Sequence, residues 1–206
     1  MMKLLYAHDH KFYKYKKDYY SGGSFPKDAL LRYTSVFEDV TFVSRQISVD
    51  KEPINMSLAT TERVDFVEIP NFKSLKSYHN KRKAKKIIQN KVKDADCIIA
   101  RLPSSIGSLA VKYAQKYHKP YLVEVVGCAL DGFWTHGSIL GKIIAPFEFL
   151  NMRRIVRNSK HTIYVTKDFL QKRYPTEGIS TNCSNVEILE NYQQVFDNRI
   201  YNIDRM

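Results

Sequence analysis

The sequence predicts an α/β fold: a Rossmann-like, doubly wound, mainly parallel sheet with helices on both faces. Three observations predict it. Short apolar, β-branched runs recur down the chain at "KLLYAH", "VTFVSRQI", "VDFVEIP", "CIIARLP", "PYLVEVV", "HTIYVT" and "NVEILE". The middle ones are bounded by turn or polar residues, as strands buried on both faces are. Segments with helical spacing lie between most of them, and such alternation builds βαβ units whose ligands bind beyond the carboxyl ends of the strands.

"KLLYAH" is the first strand, followed by His8-Asp9-His10. "YYSGGSFP" (19–26) then sets Gly22 and Gly23 before a helix predicted over 25–39, where Leu30, Leu31, Tyr33 and Phe37 share one side. After two more strands, residues 73–96 gather Lys73, Lys76, Lys81, Arg82, Lys83, Lys85, Lys86, Lys91 and Lys93 ahead of the first acid, Asp94. Leu75, Tyr78, Ala84, Ile88 and Val92 give that stretch a thin apolar stripe, the pattern of a basic amphipathic helix. "CIIARLP" leads into a helix over 104–119, capped by Ser104 and Ser105 and stopped before Pro120. "PYLVEVV" places a carboxylate, Glu124, near the end of an otherwise apolar strand. A helix over 146–160 is predicted to open at Pro146 and end in basic residues. "YVTKDFLQKRYP" (164–175) passes from strand to helix through Thr166 as the cap, with Asp168 in the first turn.

A chain of 206 residues, 44% hydrophobic and 26% charged, belongs with globular proteins rather than disordered ones. The net charge of +12 calls for anionic partners, whether nucleic acid, an acidic membrane face or phosphorylated ligands. Cys97, Cys128 and Cys183 show no CxxC spacing, which fits a reduced compartment. No run approaches the roughly 18 to 20 apolar residues that span a bilayer, and the opening residues lack a signal-peptide core. The expected location is cytoplasmic, with a peripheral place at the inner face of the membrane as a further expectation.

The candidate signals each carry two readings. Gly22 and Gly23 leave backbone amides open at a helix start, suited to phosphate or sugar oxygens, or they form a plain loop. His8-Asp9-His10 caps its loop or touches a ligand; no matching His or Cys cluster exists, so no metal is expected. The basic helix is a solvated face or a surface for anionic lipid. Glu124 is a strand-end acid satisfied by a neighbouring cation, or it faces a cleft. No RNP motif, helix-turn-helix signature or zinc finger supports nucleic acid, so nucleic acid is not an expected partner.

Four stretches in order, "HDHKFYKYKKDYYSGGSFPKDALLRYTSVF", "CIIARLPSSIGSLAVKYAQKYHKPYLVEVVG", "MRRIVRNSKHTIYVT" and "VTKDFLQKRYPTEGISTNCSNVEI", resemble the N-terminal half of bacterial retaining GT-B glycosyltransferases, the group 1 or family 4 enzymes. The resemblance implies a Rossmann-like acceptor-side domain over 1–190 and the start of an interdomain linker over 191–206. It also implies a nucleotide-sugar domain beyond this sequence, so the chain alone is expected to be inactive. It places Gly22 and Gly23 at the cleft, Arg101, Pro103 and Ser104 on one rim, and Glu124, Gly127 and Asp131 on another. His136 stands as a substitute for a histidine that many members carry after the corresponding strand. Catalytic residues stay unassigned, because in this family the donor's leaving phosphate is thought to assist the acceptor hydroxyl. The implied partners are a nucleotide-sugar and a glycan or lipid-linked acceptor in surface polysaccharide synthesis, with no separate cofactor. Lys81, Arg82, Lys83, Lys85 and Lys86 would face an anionic membrane. Two other readings stay open: a stand-alone binding or partner subunit without catalysis, and a basic Rossmann domain that binds nucleic acid.

Overall fold

The computed structural model describes residues 2–23, 25–72, 75–135 and 139–184. The predicted strand "NVEILE", the linker over 191–206, Lys73 and His136 lie outside the described residues.

Seven strands form a parallel sheet in the order β5 (Val64–Glu68), β3 (Asp39–Ser48), β1 (Lys3–Tyr15), β6 (Cys97–Leu102), β7 (Tyr121–Val125), β8 (His161–Tyr164) and β9 (Ile179–Asn182). β1 lies centrally, and the chain builds outward from it first through β3 and β5, then through β6 to β9. The direction of winding therefore reverses between β1 and β6, which is the topological switch point of a doubly wound sheet.

Alternation along each strand assigns the two faces. Leu5, Ala7, Val43 and Ile98 pack with α2 (Lys81–Asp94) and α3 (Ser105–Lys116), through Ala84, Ile88, Val92, Ile106 and Ala110. Farther along, Val123, Val125 and Tyr164 meet Met152 and Val156 of α5 (Ile139–Arg157) and Leu170 of α6 (Phe169–Arg173). The opposite residues, Leu4, Tyr6, Val40 and Phe42, pack on Leu30 of α1 (Lys27–Thr34) and on Phe25. The expected Rossmann-like architecture, with helices on both faces, is the observed one.

Local departures have identifiable causes. β1 does not end at His8; it continues to Tyr15 past an irregularity between Ala7 and Lys11. Its second half pairs antiparallel with β2 (Asp18–Ser21), which in turn pairs with β4 (Ser57–Leu58). These two short strands and the wholly exposed β9 carry no apolar alternation and so escaped the sequence pattern. α1 is shorter than predicted. Thr34 and Ser35 turn their hydroxyls onto the carbonyls of Leu31 and Arg32, a local alternative to continued helix. α5 begins at Ile139 and runs through Pro146. Ala145, Met152 and Val156 are buried at helical spacing around that proline, and this packing outweighs the hydrogen bond it cannot donate. α4 (Ala129–Thr135) precedes α5 and packs on it.

Candidate functional site

At the switch point β1 emerges as His8-Asp9-His10 and β6 as Arg101-Leu102-Pro103-Ser104. Consecutive residues point to opposite faces, so two polar groupings form, one on each side of the sheet.

On the side of α2 and α3, Asp9 ties three elements together. Oδ1 accepts from Nε and Nη2 of Arg45, at 3.0 and 2.9 Å, while Oδ2 accepts from the Ser105 amide at 2.6 Å and the Ser104 hydroxyl at 3.3 Å. Ser104 Oγ also accepts from the amides of Asp9 and Gly107, so the predicted cap is formed and the hydroxyl is committed. The N-terminus of α3, a natural anion site, is thus occupied by the chain's own carboxylate. Gly107 permits this close approach, since a Cβ there would lie 2.8 Å from the Arg101 carbonyl oxygen.

On the side of α1, Tyr6, Arg101 and Glu124 lie across adjacent strands, with Arg101 directly opposite Glu124 in the ladder. Glu124 Oε2 accepts from Tyr6 Oη at 2.5 Å, and Oε1 accepts from Tyr33 Oη at 3.3 Å, with Arg101 Nη1 3.9 Å away. Burial first, then the Glu124 charge, raises both tyrosine pKa values, so both hydroxyls stay donors. The acid in the apolar strand is explained by this triad of polar partners, two tyrosines and a cation. Phe25 lies against Arg101 with its ring centre 5.1 Å from the guanidinium carbon. His10 packs on the same ring, and its Nε2 contacts Ser21 Oγ at 2.9 Å. His8 Nδ1 donates to the Arg101 carbonyl oxygen at 3.3 Å. Burial, followed by the charge of Arg101, lowers both histidine pKa values to about 4, leaving two neutral imidazoles at pH 7.

Gly22 and Gly23 form the exposed bend beside this cluster, between Ser21 and Phe25. Ser21 Oγ accepts from the Phe25 amide and so closes the bend. Gly23 has φ +134°, open to glycine and strained for other residues, whereas a Cβ on Gly22 would meet only Met56, at 4.0 Å. Gly127 follows β7, half-buried beside Pro103. Asp131 pairs with Arg173 at 2.9 Å. His8-Asp9-His10 reads in the sequence as a loop cap or a ligand contact; Tyr6 and Tyr33 do not stand out there as site residues, since each reads as an ordinary apolar position of its strand or helix.

Lys81, Arg82, Lys83, Lys85 and Lys86 lie on α2, but the apolar residues beneath them, Ala84, Ile88 and Val92, are fully buried in the protein's own core. The amphipathic pattern of α2 is therefore a packing pattern, and its cations face outward without an apolar face to insert. Tyr78 carries Lys81 over its ring at 4.5 Å. Exposed large apolar side chains are scattered over the surface, and six of them fall on α4 and α5: Trp134, Ile139, Leu140, Ile143, Phe147 and Leu150. Among the described residues no helix is long and apolar enough to cross a membrane, and no cluster of three or more metal-binding side chains occurs.

A cavity of about 680 Å³ opens between the 3-10 turn over Leu75–Asn80, α3 and α5, lined in part by Tyr78, Lys81, Lys112, Glu148 and Arg154. Its location does not coincide with the polar cluster under α1. The cluster is the stronger candidate site, because Lys112 and Arg154 of the cavity are exposed and solvated while Arg101 is held out of water at the switch point.

Fold and site together define a Rossmann-like α/β domain with a charged, histidine-flanked cluster where the sheet reverses its winding. The chain is similar to Protein CapJ of Staphylococcus aureus, with 40% identity over 200 residues, covering 95% of the chain and 50% of the relative. The chain thus spans about half the length of that relative. No protein-family model matches it.

Proposed function

We propose that the chain is the acceptor-side domain of a retaining GT-B glycosyltransferase in surface polysaccharide synthesis. The observation that carries the reading is the convergence, at the β1/β6 switch point, of the Gly22-Gly23 bend with His8, His10 and Arg101. The similarity to Protein CapJ, a name that suggests capsule polysaccharide synthesis, supports it. In this reading the amides of Gly22 and Gly23 meet donor phosphate or acceptor oxygens. Glu124 has both carboxylate oxygens engaged by tyrosines, so it orders the acceptor wall and is not the base. Transfer then relies on positioning and on electrostatic stabilisation, with a nucleotide-sugar held by a second domain.

The test is acceptor-dependent release of nucleoside diphosphate by the native protein, with a panel of nucleotide-sugars and lipid extract from its own cells. Gly22→Val is the informative variant, because that position has space for a side chain and Gly23 does not have the backbone for one. Retained folding with lost turnover is expected. Turnover equal to wild type removes the bend from the site, and no release by wild type with any donor removes the enzyme reading.

The same reading sets the protein against an anionic membrane. Support comes from the exposed apolar side chains of α4 and α5 together with the outward cations of α2. Co-sedimentation with phosphatidylglycerol vesicles at low salt is expected, and Ile143→Ser with Phe147→Ser should weaken it. Equal recovery with neutral and anionic vesicles, or none with either, ends the membrane proposal.

A further inference from the structure

Arg101 has too few partners for a cation so deeply placed. Its side chain is 10% exposed, as is that of Arg45. Arg45 makes hydrogen bonds from Nε, Nη1 and Nη2 to Asp9, Pro70 and Asn71. Arg101 reaches only Tyr6 Oη, at 3.5 Å from Nη1, and its nearest carboxylate oxygen is 3.9 Å away. That carboxylate, Glu124, already accepts a hydrogen bond at each oxygen. Nε and Nη2 of Arg101 have no hydrogen-bond partner among the described residues. Neither atom is among the polar atoms sealed from solvent, so a mostly buried guanidinium keeps two free N–H edges open at the surface of the cluster, where a ligand's oxygens can reach them.

The surroundings point to what supplies them. The guanidinium lies against Phe25 at the switch point, with His8 and His10 packed on the same ring. Adjacent N–H groups of a guanidinium form a fixed fork that matches two oxygens of a carboxylate or a phosphate. The alternative anion site nearby, the N-terminus of α3, is closed by Asp9. We propose that Arg101 binds an oxyanion, a carboxylate or phosphate carried by the acceptor, through Nε and Nη2, with His8 and His10 walling the same subsite. Assignment of that oxyanion to an acceptor rests on the glycosyltransferase reading; the binding itself does not.

Calorimetric titration of the chain with glucuronate, inorganic phosphate and, as a neutral control, glucose tests it. One or both anions should bind, with glucose silent. Arg101→Gln should weaken binding at least tenfold, and Arg101→Lys should weaken it less, since it keeps the charge and loses the fork. Glucuronate alone binding identifies a uronate-type acceptor; phosphate alone identifies a phosphorylated one. Binding of neither anion up to about ten millimolar, or equal binding by Arg101→Gln, overturns the proposal. Should Arg101→Gln not fold, imidazole NMR of the wild type decides. The titration midpoints of His8 and His10 should rise from about 4 when the anion is added, and unchanged midpoints overturn the site. Anion binding by the chain, combined with no release of nucleoside diphosphate by the native protein with any donor, would sink the enzyme reading and leave the oxyanion site standing. Transfer by the native protein that is indifferent to Arg101→Gln would keep the enzyme reading and overturn the assignment of the oxyanion to its acceptor.

Discussion

Replacing Asp9 by Asn removes a charge while almost preserving shape, so it isolates the electrostatic part of the contact between β1, β3 and α3. The Asp9 side chain is 12% exposed and receives two bonds from Arg45 at one oxygen and the Ser105 amide at the other. Asn keeps an acceptor for Arg45 but turns an NH₂ group toward the Ser105 N–H, where two donors then face each other. Breaking a buried ion pair from one side costs about 3 to 5 kcal/mol, and loss of an anion at a helix N-terminus adds about 0.3 to 1 kcal/mol. Arg45 retains its bonds to Pro70 and Asn71, so the low end, about 3 kcal/mol, is expected. For a chain of this size that lowers the thermal midpoint by about 6 to 12 °C. Urea unfolding followed by far-UV circular dichroism gives the free energy directly. Adding Arg45→Met should then cost much less than it does alone, since the two residues act as a pair. A loss below about 1 kcal/mol, the level of an exposed ion pair, would refute the reasoning and reopen the N-terminus of α3 as a ligand site.

Further outcomes follow from the same cluster. His8 and His10 have folded pKa values of about 4 against an ordinary 6.5, so the unfolded chain binds more protons between those values. Their contribution is complete above pH 6.5 and is lost as the pH falls toward 4, up to about 3 kcal/mol for His8. Urea midpoints at pH 7, 5.5 and 4.5 should fall in that order, and less steeply in the His8→Gln, His10→Gln double variant. Gly107→Ala should destabilise by about 1 to 3 kcal/mol, because its methyl carbon would lie 2.8 Å from the Arg101 carbonyl oxygen; an unchanged melting temperature would contradict that close approach. Glu124→Gln removes the carboxylate 3.9 Å from Arg101 and should tighten glucuronate or phosphate binding several-fold, read by calorimetry. Weaker binding would mean that Glu124 supports the ligand instead of competing with it.

Much of the site was legible because glycines before a helix, polar residues after a strand and a carboxylate in an apolar run are local anomalies. Gly22 and Glu124 could be picked out one at a time on those grounds, whereas Arg101 entered only through the family resemblance. What each one touches could not. Ser104 reads as a helix cap, and that role turns out to consume its hydroxyl, through an aspartate 95 residues away. The basic stripe of α2 reads equally as a membrane helix or a core helix, since both need one apolar face. Ala84, Ile88 and Val92 at 0% exposure decide for the core, and the exposed apolar residues of α4 and α5 become the lipid-facing candidates.

The sequence by itself determined the alternation of the main buried strands with helices and the class of the fold, because hydrophobic periodicity records which face of each element is buried; the short β2, β4 and β9 left no such record. Tertiary structure alone decided the partnerships. Tyr6 and Glu124 are 118 residues apart, and no local pattern encodes that their side chains meet on the α1 face of the sheet. Parallel strands bring such residues together through crossovers whose register is set by packing of the whole core. The switch point between β1 and β6, and with it the nearly unpartnered Arg101, therefore becomes visible only when the strands are in place.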